Sequence, residues 1–116
     1  MPRYICKIAN DECAWYLEWS TVVDAPVTFG MSLEEFKEYY KDEYGRQGIE
    51  DLDRRLERVE AKGISAFNYD SVDDLIGWNR AGKDESCLSK QQLIDVYCTQ
   101  IIPEDDLPMG TVLEDE

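Results

Sequence analysis

The chain has 116 residues, of which 26 are acidic and 12 basic, for a net charge of −14. That length makes a single domain. That charge disfavours phosphate backbones and anionic membranes as direct partners, since binding either requires Lys and Arg to displace counterions. Three Trp and seven Tyr within an apolar fraction of 43% separate it from disordered chains, which lack large apolar side chains.

In chain order, the run from Arg3 to Ile8 alternates, with Tyr4, Cys6 and Ile8 on one side and Arg3, Ile5 and Lys7 on the other. That is a strand with one buried face. Asn10 and Asp11 supply turn chemistry. Alternation resumes from Cys13 to Trp19, placing Cys13, Trp15, Leu17 and Trp19 inside and Ala14, Tyr16 and Glu18 on the polar side. The two runs predict an antiparallel hairpin. Thr21, Val22 and Val23 extend or bulge the second strand, and Asp24, Ala25 and Pro26 break it, because Pro donates nothing to a ladder.

Three later segments begin alike, at Ser32, Ser71 and Ser89. Each Ser reads as a helix N-cap; Glu35 and Gln92 complete capping boxes, and Asp74 makes a weaker one. The first helix is expected from Leu33 to Tyr44, with Leu33, Phe36, Tyr40 and Tyr44 on one stripe and Gly45 ending it. The second runs from about Gln47 to Lys62, with Ile49, Leu52, Leu56 and Val59 inward and Gly63 closing it. Glu50–Arg54 and Asp51–Arg55 have favourable i,i+4 spacing. Ile64 to Tyr69 reads as a third short strand. Residues 72 to 79 form a short helix carrying Val72, Leu75, Ile76 and Trp78. Arg80 to Ser86 is a polar loop. Leu93, Ile94, Tyr97 and Ile101 suit a last helix, with strand as the rival for so β-branched a stretch. Residues 103–116 hold six acids, no base and two prolines, which predicts a flexible acidic tail.

The expected fold is α+β: an N-terminal antiparallel hairpin or small sheet packed by amphipathic helices over residues 1–102, followed by the acidic tail 103–116. The chain contains no histidine, so Ser-His-Asp and Cys-His catalysis are excluded. Cys6, Cys13, Cys87 and Cys98 are separated by six, seventy-three and ten residues, unlike the close pairs of structural zinc sites. No glycine pattern forms a phosphate loop, and no acidic run follows the calcium-loop spacing. No cofactor and no metal are therefore expected. The N-terminus shows no export signal and no stretch approaches a membrane span. The expectation is a cytoplasmic protein whose cysteines are reduced, mostly buried thiols.

Catalysis by carboxylates alone would need a facing pair, and no spacing proposes one; a non-enzyme is expected, with a carboxylate-based hydrolase as an alternative. The best interaction candidate is the acidic face of the first helix. Glu34, Glu38 and Asp42 recur every fourth residue, rising about 6 Å per step, and Glu35 and Glu43 flank them. Such a row suits a basic surface on a partner. Lys37 and Lys41 interleave with it, and a solvated, salt-bridged face is the competing reading. Tyr16, on the polar side of its strand, is a candidate interface anchor. Arg54, Arg55 and Arg58 form the basic cluster, cancelled by neighbouring acids, which argues against direct nucleic-acid contact.

Four stretches, Leu17 to Thr28 (LEWSTVVDAPVT), Glu34 to Gly45 (EEFKEYYKDEYG), Leu56 to Glu60 (LERVE) and Asn79 to Gly82 (NRAG), resemble small uncharacterised acidic proteins of bacterial viruses. They are not motifs with known chemistry, so no site residue carries over. The resemblance implies a phage origin. It also implies a class of host-takeover factors, some of which block defence nucleases by imitating DNA. The expected function is accordingly an acidic inhibitor or modulator that binds a basic surface of a host nucleic-acid-handling or defence protein. The alternative is a phage structural or assembly adaptor that self-associates through Trp and Tyr.

Overall fold

The computed structural model describes residues 3–20, 22–65 and 71–112. β1 (Arg3–Ala9) and β2 (Ala14–Ser20) form an antiparallel hairpin in continuous register from Arg3↔Ser20 to Ala9↔Ala14. Its turn is fixed by Asn10, whose side-chain oxygen accepts from the Glu12 and Cys13 amides at 2.9 and 2.7 Å, an Asx arrangement. The break expected at Asp24 to Pro26 is instead a turn into a third strand. β3 (Ala25–Pro26) pairs antiparallel with Trp19 and Ser20 on β2. Pro26 is tolerated because β3 lies at the edge of the sheet.

α1 (Leu33–Lys62) contains the two expected helices back to back, broken at Gly45 with φ 65° and ψ −154°. That conformation is nearly exclusive to glycine. The limbs, residues 33–44 and 46–62, run antiparallel: Leu33 and Lys37 lie beside Leu56 and Glu60, and Arg55 reaches Tyr40. The Ser32–Glu35 capping box is formed at the start, with both bonds at 3.1 Å, and Gly63 caps the end at φ 83°.

The sheet is buried on both faces, where the alternation predicted one. One face presents Cys6, Ile8, Leu17 and Trp19 to Ile64, Leu75, Leu88, Leu93 and Ile94. The opposite face, expected to meet water, presents Ile5 and Tyr16 to Phe36, Tyr40, Leu52, Leu56 and Val59 of α1. A 30-residue helical hairpin needs somewhere to bury its apolar stripe, and the second face of the sheet provides it. Trp19 is fully buried, and its indole N–H finds no acceptor among the described residues.

On the first face the chain is mostly irregular. α2 (Val72–Ile76) is shorter than the expected 72–79, and Ser71 makes no side-chain cap bond. Asn79, fully buried, replaces regular structure as organiser. Its amide donates to the carbonyls of Ile76 and Leu88 at 2.5 and 2.8 Å, and its oxygen accepts from the Ala81 and Leu88 amides. α3 (Lys90–Leu93), started by the Ser89–Gln92 capping box, continues as a wider π-helical turn, Ile94–Cys98. The segment is thus helical rather than strand, and it stops short of the exposed Ile101. Of the strand expected at 64–69, Ile64 bridges Cys6 and Ser65 bonds Ile5; residues 66–69 lie outside the described residues.

The tail departs from expectation. Pro103 begins a short helical turn, Glu104–Asp106. The chain then returns to the domain: Lys83 N–H bonds the Pro108 carbonyl, Gly110 N–H bonds Ser86 Oγ at 2.8 Å, and Thr111 pairs with Cys87 through bonds of 2.7 and 2.9 Å. Gly110 lies so close to the Cys87 carbonyl that a Cβ has no room there. Residues 108–111 are therefore docked by hydrogen bonds to the domain rather than free; residues 113–116 lie outside the described residues.

Candidate functional site

The five acids singled out on α1 are all exposed. Phe36 and Tyr40 of the same limb are buried against the sheet, which turns Glu34, Glu38 and Asp42 outward as one row. Glu35 is partly occupied, since its carboxylate accepts from the Ser32 amide in the capping box. Among the described residues neither Lys37 nor Lys41 pairs with a carboxylate. The interleaved lysines thus dilute the row without tying it up.

Tyr16 is not an exposed anchor. It is 6% exposed and packs on Phe36, with ring centroids 6.3 Å apart. Its hydroxyl donates to Glu60 Oε1 at 2.5 Å, and Lys7 Nζ meets Glu60 Oε2 at 3.1 Å. The polar side of the hairpin is a helix–sheet interface, and Tyr16 belongs to it.

The same interface holds a site that alternation could not reveal. Glu18, expected in solvent, is fully buried, and no other acid among the described residues is. Tyr39 donates its hydroxyl to Oε1, and Tyr44 donates to both oxygens at 2.9 and 2.7 Å. Arg3 stands 3.9 Å away with its side chain 42% exposed, over a Glu18 side chain that is 1% exposed. A buried carboxylate is tolerable only when its lone pairs are occupied, and the first limb of α1 supplies both phenols. The phenols pay back in kind: burial, then the hydrogen bond to Glu18, pushes the Tyr39 and Tyr44 pKa values up, so they remain donors.

Beside this cluster lies a cavity of about 410 Å³, floored by Glu18, walled by Tyr40 and Tyr44, and flanked by Arg3, Arg55 and Asp51. Gly48 is also at its edge: a Cβ there would overlap Tyr44 Cβ and crowd the Tyr40 ring. Arg55 does not use its expected partner Asp51. It donates instead to the Tyr40 hydroxyl, to the Arg3 carbonyl at 2.7 Å and to Ser65 Oγ at 3.5 Å. Arg58 likewise turns inward, to the Ser65 carbonyl at 2.7 Å. Nor do Glu50 and Arg54 pair among the described residues. Two members of the basic cluster, Arg55 and Arg58, are thus drawn into the fold.

Of the cysteines, Cys6 and Cys98 are buried, Cys87 is half-buried and Cys13 is exposed, all as free thiols. Burial raises the Cys6 thiol pKa and pushes that of Cys98 up to about 12. Among the described residues no group of three or more Cys, Asp or Glu side chains is placed to hold a metal, and no helix is long and apolar enough to cross a membrane. Sequence reasoning missed one surface feature. Trp78, Val22 and Val23 are 68%, 74% and 55% exposed, on segments joined by the Arg80 N–H to Asp24 carbonyl bond of 2.8 Å. The chain matches no family model, no curated protein and no solved structure.

Proposed function

We propose that this protein is a non-enzymatic binding module that engages a basic surface on another protein through the outward face of the first limb of α1. The observation that carries the reading is the row Glu34, Glu38 and Asp42, flanked by Glu35 and Glu43. All five are exposed, and the three of the row point away from the buried stripe. A row of carboxylates stepping about 6 Å along a rigid helix presents a regular negative array to Lys and Arg. The net charge of −14 adds long-range attraction for a basic partner. In its sharper form the protein is a phage-encoded modulator of a host nucleic-acid-handling or defence protein, acting in the host cytoplasm as a mimic of DNA. The resemblance of its sequence to small acidic phage proteins supports that form.

The test is affinity capture from bacterial lysate at low salt, with stepwise salt elution, run in parallel with a Glu34→Gln/Glu38→Gln/Asp42→Asn variant. A basic protein that elutes sharply from the native protein and is not retained by the variant supports the proposal. Equal retention by both contradicts it.

A second reading rests on the exposed Trp78, Val22 and Val23. Large apolar side chains grouped on a surface mark association sites, which suits an assembly adaptor. It predicts concentration-dependent self-association by light scattering that Trp78→Ser abolishes.

A further inference from the structure

The cavity beside Glu18 has a charge arrangement that the acidic face does not use. Arg55 is half-buried, yet each oxygen it bonds is neutral: a phenol, a carbonyl and a hydroxyl. Among the described residues it has no carboxylate partner, in a chain where acids outnumber bases by 26 to 12. Its i−4 neighbour Asp51 is available and is left at the rim of the cavity. Arg3 forms the adjoining wall. Its closest carboxylate oxygen is 3.9 Å away, beyond hydrogen-bond length, and that carboxylate is already served by two phenols. Two guanidinium groups therefore border one space of about 410 Å³, one bonded only to neutral oxygens and the other paired with Glu18 no closer than 3.9 Å. That volume lies in the range of small-molecule sites.

We propose that this cavity binds a small oxyanion, a carboxylate or a phosphate monoester, between Arg3 and Arg55. Guanidinium groups are the side chains best matched to such groups, because their donors fork in the plane of the oxyanion. Glu18 at the floor has its oxygens occupied by Tyr39 and Tyr44, and its negative charge limits the site to ligands of low charge. It holds Tyr44 in place as part of the wall. Asp51 at the mouth disfavours polyanions, so the ligand carries a single negative group or is a zwitterion whose cation meets Asp51. The site is separate from the acidic row, and neither reading depends on the other.

The test uses the full-length protein, titrated with sodium phosphate, sodium acetate or glycine at ionic strength held constant with sodium chloride. The readout is NMR of the Arg side-chain Nε–H groups and of the Gln47 and Gly48 amides. The expected result is saturable shifts at Arg3 and Arg55. Saturation by phosphate alone assigns a phosphate ligand, and saturation by acetate or glycine assigns a carboxylate. Arg3→Gln, a partly exposed position whose change spares the core, weakens binding by at least about tenfold, as loss of a charge-assisted pair should. Asp51→Asn, an exposed change, strengthens phosphate binding by about twofold to fivefold. Shifts that fail to saturate with all three probes, or that persist with equal affinity in Arg3→Gln, overturn the proposal.

Discussion

Glu18 and the row Glu34, Glu38 and Asp42 are acids of the same chain placed in opposite circumstances. Glu18 is enclosed, with both oxygens bonded by phenols and a guanidinium above it. The row stands in water, and among the described residues no cation pairs with it. Glu60 lies between the extremes: it is shared by Tyr16 and Lys7, with its side chain 52% exposed. The difference teaches that net charge alone says little about what an acid does here. Depth decides. An enclosed carboxylate holds the helical hairpin onto the sheet, and an exposed one is free to meet a partner.

The comparison can be broken most forcefully at its buried end. Glu18→Ala leaves two phenols without their acceptor and Arg3 without its nearest counter-charge, which should destabilise the fold by about 3–5 kcal/mol. Urea unfolding measures it, and Glu18→Gln should recover part of the loss because an amide oxygen still accepts from a phenol. A loss below about 1 kcal/mol would place Glu18 with the surface acids. The same cluster can be disturbed without touching a charge. Gly48→Ala drives a methyl into Tyr44 and Tyr40, with an expected loss of about 1–3 kcal/mol from overpacking. An unchanged melting temperature would mean that the tyrosine wall gives way freely.

Alkaline titration sharpens the comparison further. The phenols of Tyr16, Tyr39 and Tyr44 are raised, first by burial and then by their carboxylate partners, and burial together with nearby Glu104 raises Tyr97. A raised folded-state pKa contributes stability that is complete below the unfolded value, about 10 for Tyr, and is lost as pH climbs through the folded value. Tyrosinate absorbance should therefore show these four phenols lagging, then ionising together with loss of the fold. Seven tyrosines ionising in one step while circular dichroism stays native would contradict this. Glu60→Gln should cost under about 1 kcal/mol, as a partly exposed pair does, with a correspondingly small shift in the urea midpoint.

How much of this was legible in the sequence depends on whether the signal is local. Alternation at Tyr4, Cys6 and Ile8, and at Trp15, Leu17 and Trp19, placed the hairpin, because those residues do face one core. Ser32 with Glu35 and Ser89 with Gln92 marked helix starts by bonds made within four residues, and both boxes are present. Gly45 and Gly63 were readable because positive φ there demands glycine. Glu18 was not readable. Its partners lie 21 and 26 residues away, and strict alternation assigns a charged residue to water. Tyr16 failed for the same reason, since the helix that covers it comes later in the chain. Arg55 had a good local partner in Asp51 and took distant oxygens instead. The docked segment 107–112 is held largely through backbone groups, which leave little side-chain signature, and the acids on either side of it, at 104–106 and 114–116, suggested a free tail.

The exposed end of the comparison carries the proposed function and should be nearly silent in stability. Neutralising Glu34, Glu38 and Asp42 together should alter the urea midpoint little, each change lying within about 0.5 kcal/mol, while removing most of the salt dependence of partner binding. The most direct measurement is therefore the affinity of the captured basic partner for the native protein and for the Glu34→Gln/Glu38→Gln/Asp42→Asn variant across a range of salt concentrations. The account predicts steep weakening with salt for the native protein, and a weaker and flatter dependence for a variant of unchanged fold. Superimposable curves for the two proteins would contradict it.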